Sequence, residues 1–233
     1  MLRLIFLLVL AAAAPLPNAP PFHPSPAFTP AGPETAKGAV VWLHGGYDSD
    51  TEQRPPEPVW VGRLATGRWD IFRFDRTPGQ DPLLPGGQAL VQGLIALRTA
   101  GYRHVIVAGH SRGAFIAMAA LAHPELAEAV ALISPAAHGT SPDRRAQAMA
   151  DFQARLDDAK GPQRLAFVQL DDDPFDPDPE ARAQAVRAAA ARTGDALLLI
   201  ARPPQPRGHM GGYDPVFDTM FGEKLAEFVA GDR

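Results

Sequence analysis

The stretch Val105-Ile106-Val107-Ala108-Gly109-His110-Ser111-Arg112-Gly113-Ala114-Phe115 decides how the rest of the chain is read. A β-branched apolar run ends in Gly109-x-Ser111-x-Gly113, and an almost wholly apolar helical pattern, Ala114 to Ala122, follows at once. Those parts spell a strand, a sharp turn and a helix. A serine at such a turn sits in a strained backbone conformation, and glycines at 109 and 113 let strand and helix approach closely. Its hydroxyl is pushed beyond the sheet edge, at a helix N-terminus whose free N–H groups favour negative charge. Ser111 is therefore the candidate nucleophile.

Outward from this centre, strands and helices alternate. Gly38–Leu43, Trp69–Phe74, Ala129–Ile133, Arg164–Leu170 and Ala196–Ala201 read as strands. Helical patterns fall at Val59–Ala65, Gln88–Ala100, Ser141–Asp158 and Pro179–Ala191, with a last helix near Pro215–Ala230. Alternation of this kind predicts an α/β fold with a mainly parallel central sheet and helices on both faces. Ligand-binding and reactive groups in such sheets gather at the carboxyl ends of strands. Three candidates lie there in chain order: Ser111, an aspartate among Asp171, Asp172, Asp173 and Asp176, and His209 in the loop Arg207-Gly208-His209-Met210-Gly211. A serine hydroxyl needs a neighbouring base during attack, and a histidine serves near neutral pH. A buried carboxylate would then fix the imidazole tautomer.

With 233 residues, 46% hydrophobic and 21% charged, the chain suits one globular domain, residues 36–233. A formal net charge of −4 leaves no broad basic field, which argues against nucleic acid as a partner. The absence of cysteine removes disulfides, thiolate metal sites and a cysteine nucleophile. Arg3 followed by the apolar run Leu4–Ala14 and small residues reads as a signal peptide over residues 1–19. Cleavage after Ala13 and cleavage after Ala19 both remain open. The run falls short of the ~20 apolar residues a membrane span needs, so no span is expected after its removal. Prolines crowd residues 20–35, predicting an extended lead-in in which His23 is solvated.

The Gly-x-Ser-x-Gly turn, the strand ending in His44-Gly45-Gly46-Tyr47 and the late histidine loop together resemble the α/β-hydrolase fold family, over roughly residues 38–230. The resemblance implies a nucleophile elbow at Ser111 and a catalytic base at His209. It also implies an oxyanion hole made by the backbone N–H groups of Gly46 and Arg112, with Tyr47 as the alternative donor to Gly46. Asp173 is the preferred acid because Asp173-Pro174-Phe175-Asp176-Pro177 resembles the family's turn after this strand; Asp176 is the next choice, and Asp171 and Asp172 stay open. His44 is expected to brace its loop, as is the Asp75-Arg76 pair. Tyr47, Trp60 or Arg63 are placed to touch substrate, and His138 to line the pocket. A single helix stands where relatives insert a lid, implying an open or shallowly covered site.

The function implied is a secreted or periplasmic serine esterase working through an acyl-enzyme on a small-molecule or polymeric ester. Serine at the elbow argues against dehalogenase and epoxide-hydrolase chemistry, which uses aspartate in similar folds. No cofactor is required. No metal is expected either, because the aspartate run lacks the loop glycine of a calcium motif. Arg112 and the small lid region favour an anionic or a bulky polymeric substrate, with no choice between them. The same triad could serve a peptidase or an acyltransferase. A non-catalytic binding protein on a hydrolase scaffold is the alternative from another class.

Overall fold

Along the central strands successive residues alternate between two cores, because side chains of a strand point to opposite faces. Val41, Val107, Val130 and Phe167 join one core, while Val40, Ile106, Ala131 and Val168 join the other. Every residue of β2 (Gly38–Leu43), β4 (Val105–His110) and β5 (Ala129–Ile133) is buried, as expected for a sheet covered on both sides. The computed structural model describes residues 21–46 and 55–231. Residues 1–19, expected to form a signal peptide, and Tyr47 lie outside the described residues.

The sheet has seven strands in the order β1-β3-β2-β4-β5-β6-β7, where β1 is His23–Pro24, β3 Trp69–Phe74, β6 Arg164–Gln169 and β7 Ala196–Ala201. All pairings are parallel except β1 with β3. The helices are α1 (Val59–Thr66), α2 (Leu83–Thr99), α3 (Arg112–Ala117), α4 (Pro142–Asp157), α5 (Pro179–Thr193), α6 (Pro215–Phe217) and α7 (Glu223–Ala230). One face is covered by α2, α3, α4 and α5, which contribute Leu90, Phe115, Phe152 and Val186 to its core; the other is covered by α1 and α7, through Trp60 and Leu225. From β2 the chain steps outward to β3, then returns to β4 on the other side of β2. This reversal opens a crevice at the carboxyl ends of β2 and β4, the usual ligand position in open α/β sheets. Among the described residues, no helix is long and apolar enough to cross a membrane.

Four local readings need correction. Helix α2 starts at Leu83, before the expected Gln88. Pro85 is tolerated there because the N–H it lacks belongs to a first turn that has no intrahelical acceptor. After the elbow, α3 ends at Ala117 and tightens into a 3₁₀ turn over Met118–Ala122. The last helix carries a π-turn at Asp218–Gly222. The proline-rich lead-in, expected to be extended with His23 solvated, instead pairs as β1 over two residues and then turns at residues 26–27 and 33–35; Phe22 is buried in the core, and His23 Nε2 lies 2.9 Å from Asp75 Oδ2.

Candidate active site

Ser111 leaves β4 with φ 56° and ψ −123°, a backbone region that costs a non-glycine residue on the order of 1–3 kcal/mol. Three backbone hydrogen bonds hold it there. Its N–H donates to the Ile133 carbonyl at 3.0 Å, and its own carbonyl accepts from Phe115 at 3.0 Å and Ala136 at 3.1 Å. The flanking glycines are required sterically. A Cβ on Gly109 would lie 2.6 Å from the Gly113 carbonyl carbon, and one on Gly113 would run into the carbonyl oxygens of Leu43 and His44. The turn thus wedges α3 against the end of β2.

His209 begins a short 3₁₀ turn, His209–Tyr213. Its Nδ1 lies 2.9 and 3.0 Å from the two oxygens of Asp173, and its Nε2 lies 2.8 Å from Ser111 Oγ. Asp173 is acceptor-only when ionised, so Nδ1 carries the proton and Nε2 accepts from the serine hydroxyl. The Asp173 side chain is only 3% exposed, and one of its oxygens also accepts the Phe175 N–H at 2.9 Å. The loop itself is clamped. Gly208 N–H donates to the Asp171 carbonyl at 2.7 Å, and His110 Nε2–H donates to the His209 carbonyl at 2.8 Å. Burial lowers the His110 pKa to about 4, so this clamp is a neutral imidazole.

Asp173 alone of the four aspartates meets His209. Asp176, the expected alternative, accepts from Gln169 Nε2 at 2.8 Å and lies 3.8 Å from Arg182 Nε. Its burial pushes its pKa up, in keeping with a carboxyl packed under the sheet end. Asp171 pairs with Arg202 and Arg207, and Asp172 with Arg207, at 2.7–3.0 Å.

The loop after β2 lies against the serine: a Cβ on Gly45 would stand 3.4 Å from Ser111 Cβ, and one on Gly46 would stand 3.1 Å from Arg112 Nε. Arg112 opens α3, so its N–H is among those a helix leaves without an internal acceptor. The two expected oxyanion donors thus sit on adjoining segments. His44 is buried, with its pKa lowered to about 4, by burial first and by Arg76 second. Its Nδ1–H donates to the Gly45 carbonyl at 2.7 Å. The Asp75-Arg76 pair divides its work. Arg76, fully buried, donates to the carbonyls of His44 at 3.0 Å and Gly45 at 2.7 Å, and to Asp81. Asp75 instead pairs with Arg73 and His23.

A cleft of about 500 Å³ opens over the serine, with Pro55, Ala136, Ala137, Phe175 and Met210 as its apolar lining. Trp60 and Arg63 do not line it. Trp60 is fully buried in the core under α1, and Arg63 is held by Asp218 at 2.6 Å. His138 is not part of the lining either, and its Nε2 lies 2.7 Å from Asp151 Oδ2 on α4. Sequence reasoning passed over Asp81, which sits between Arg76 and Arg112 at 3.1 and 3.3 Å. Its setting, Gln80-Asp81-Pro82, reads as ordinary turn chemistry. Among the described residues, no group of three or more His, Cys, Asp or Glu side chains could hold a metal ion.

Sheet order, elbow and loop positions together are those of an α/β-hydrolase fold, and comparison with solved structures agrees. The chain is similar to an esterase from Pyrococcus furiosus, at a TM-score of 0.54 and 16% identity over 83% of this chain and 82% of that one. It is also similar to a putative dipeptidyl aminopeptidase IV from Bacteroides ovatus, at a TM-score of 0.61 and 18% identity. A puromycin hydrolase gives 0.62 and 17%. The chain spans only 32% and 36% of those two longer proteins. No protein-family model matches the chain, and no curated protein sequence is similar to it.

Proposed function

We propose that this chain is a serine hydrolase that cleaves carboxylic esters through an acyl-enzyme. The observation that carries the reading is the continuous hydrogen-bonded chain from Ser111 Oγ through His209 to Asp173, at 2.8, 2.9 and 3.0 Å. In this reading Oγ attacks the ester carbonyl while its proton passes to His209 Nε2. The carbonyl oxygen becomes negative and is held by the N–H groups of Gly46 and Arg112. Collapse breaks the carbon–oxygen bond to the alcohol, and His209 returns the proton to the leaving alkoxide. Water then repeats the sequence, giving its proton to His209 and releasing the acid, and Oγ recovers its proton. Asp173 keeps the tautomer and stabilises the transient imidazolium.

The esterase likeness along most of both chains supports ester rather than peptide substrates, as does the small open cleft. The aminopeptidase and puromycin hydrolase neighbours are matched over about a third of their length. We further propose export through the leader at residues 1–19.

The test is labelling with a fluorophosphonate probe, together with turnover of p-nitrophenyl acetate and butyrate and of aminoacyl anilides. Wild type is expected to label and to prefer esters, with both activities lost in Ser111→Ala and His209→Ala. Absence of labelling in folded wild type overturns the hydrolase reading; preference for the anilides overturns the ester assignment.

A further inference from the structure

Arg112 does two separate things at the elbow. Its backbone N–H, first in α3, is one of the two expected oxyanion donors, whereas its side chain lies across the Gly46 loop and forms part of the cleft wall. Among the described residues the guanidinium is anchored at one corner: Nε lies 3.3 Å from Asp81 Oδ2. The other Asp81 oxygen, Oδ1, accepts from Arg76 Nε at 3.2 Å and from Arg76 Nη2 at 3.1 Å. One carboxylate therefore serves two guanidinium groups.

The charge balance of this trio is one positive. Arg76 is fully buried and turned to the His44 and Gly45 carbonyls, so the surplus charge is expressed through Arg112, whose side chain is 31% exposed. Among the described residues the cleft lining contains no Asp or Glu, so nothing there offsets it. Asp173 faces His209 and is nearly sealed from solvent. His110, the other titratable ring in the lining, is neutral above about pH 4. With Nε occupied, the Nη1–Nη2 edge meets no partner among the described residues, and it is the two-pronged donor face that matches a planar carboxylate. The arginine follows the serine directly in sequence and reaches over the neighbouring loop. A Cβ on Gly45 would stand 3.9 Å from Ser111 Oγ and one on the next residue, Gly46, 3.1 Å from Arg112 Nε, so hydroxyl and guanidinium flank the same two-residue segment. A carboxylate a few bonds from the scissile ester spans that segment.

We propose that Arg112, aimed by Asp81, binds a carboxylate on the substrate, so that the preferred esters are half-esters of short dicarboxylic acids. This inference rests on the ester-hydrolase reading above and selects its anionic branch over the bulky polymeric one. The remaining lining, with Phe175 and Met210, would take the apolar alcohol part.

The experiment compares kcat/KM for mono-p-nitrophenyl glutarate with that for p-nitrophenyl pentanoate, a neutral ester of the same chain length, with spontaneous hydrolysis subtracted. Wild type, Arg112→Gln, Arg112→Lys and Asp81→Asn are assayed. Wild type is expected to favour the anionic ester. The anionic-to-neutral ratio should fall about 10- to 100-fold in Arg112→Gln, the range of a charge-assisted hydrogen bond. It should fall less in Arg112→Lys, which keeps the charge but not the fork. Asp81→Asn should lower it through loss of aim, chiefly by raising KM for the anionic ester. A wild-type ratio at or below one, or a ratio unchanged in Arg112→Gln, overturns the proposal while leaving the hydrolase reading intact. Loss of turnover of both esters together with failed fluorophosphonate labelling sinks the hydrolase reading instead. The carboxylate site is then judged by calorimetric binding of glutarate to wild type and Arg112→Gln: binding confined to wild type supports the site, and equal or absent binding overturns it.

Discussion

Acid should loosen this protein through the histidine beside Ser111. His110 is 2% exposed, and burial lowers its pKa from 6.5 to about 4. At pH 7 the site is largely neutral in both folded and unfolded chains. As pH falls through 6.5, the unfolded chain takes up a proton that the folded chain refuses until about pH 4. Stability is therefore present above pH 6.5, is lost between 6.5 and 4, and levels off below. For one such group the loss between pH 7 and pH 4.5 is about 2 kcal/mol. His44, shifted to about 4 by burial and by Arg76, adds a loss in the same window. The comparison is between wild type and His110→Gln, which keeps an N–H donor for the His209 carbonyl but cannot titrate. Urea unfolding followed by tryptophan fluorescence at pH 7, 6, 5 and 4.5 gives the slope of stability against pH. At about 3 kcal/mol per molar urea, the difference in midpoint shift between the two proteins is roughly 0.7 M. Wild type should lose more than the variant by that amount. Parallel slopes in the two proteins would refute the assignment of His110 as a buried neutral clamp.

Two further outcomes follow from the site. Asp173→Asn should cut kcat about 10⁴-fold with little change in fold, as the loss of a tautomer-fixing carboxylate does elsewhere. Asp176→Asn should change kcat less than tenfold and mainly alter stability, since its partners are Gln169 and Arg182; an equal kinetic loss in both variants would contradict the choice of acid. Gly113→Ala should destabilise the fold by about 3 kcal/mol, because the new methyl meets the Leu43 and His44 carbonyls. A melting temperature unchanged from wild type would show that the wedge between α3 and β2 is looser than described.

Much of the fold and the core of the site could be read directly from the chain. Apolar runs at Gly38–Leu43 and Ala129–Ile133 are strands with the expected bounds because periodicity and burial are local consequences of side-chain chemistry. The elbow was legible for the same reason: a strained serine needs small neighbours, and Gly109 and Gly113 stand where that need falls. The order of Ser111, an aspartate and His209 also lay in plain view.

Tertiary structure decided what depends on distance between remote segments. Four aspartates share one turn, and only the folded backbone brings Asp173, rather than Asp176, against a ring 36 residues later. Trp60 could not be excluded from the cleft until α1 packed it into the core, nor Arg63 until Asp218 captured it. Asp81 gained its place between Arg76, five residues before it in the same loop, and Arg112 when that loop met the start of α3, a meeting that no local pattern encodes. Sequence alone determined the chemistry available at the end of the sheet, since residue type and periodicity are properties of short stretches. The partners each group takes are set by long-range packing, where a shift of one residue along a turn changes which oxygen meets which nitrogen.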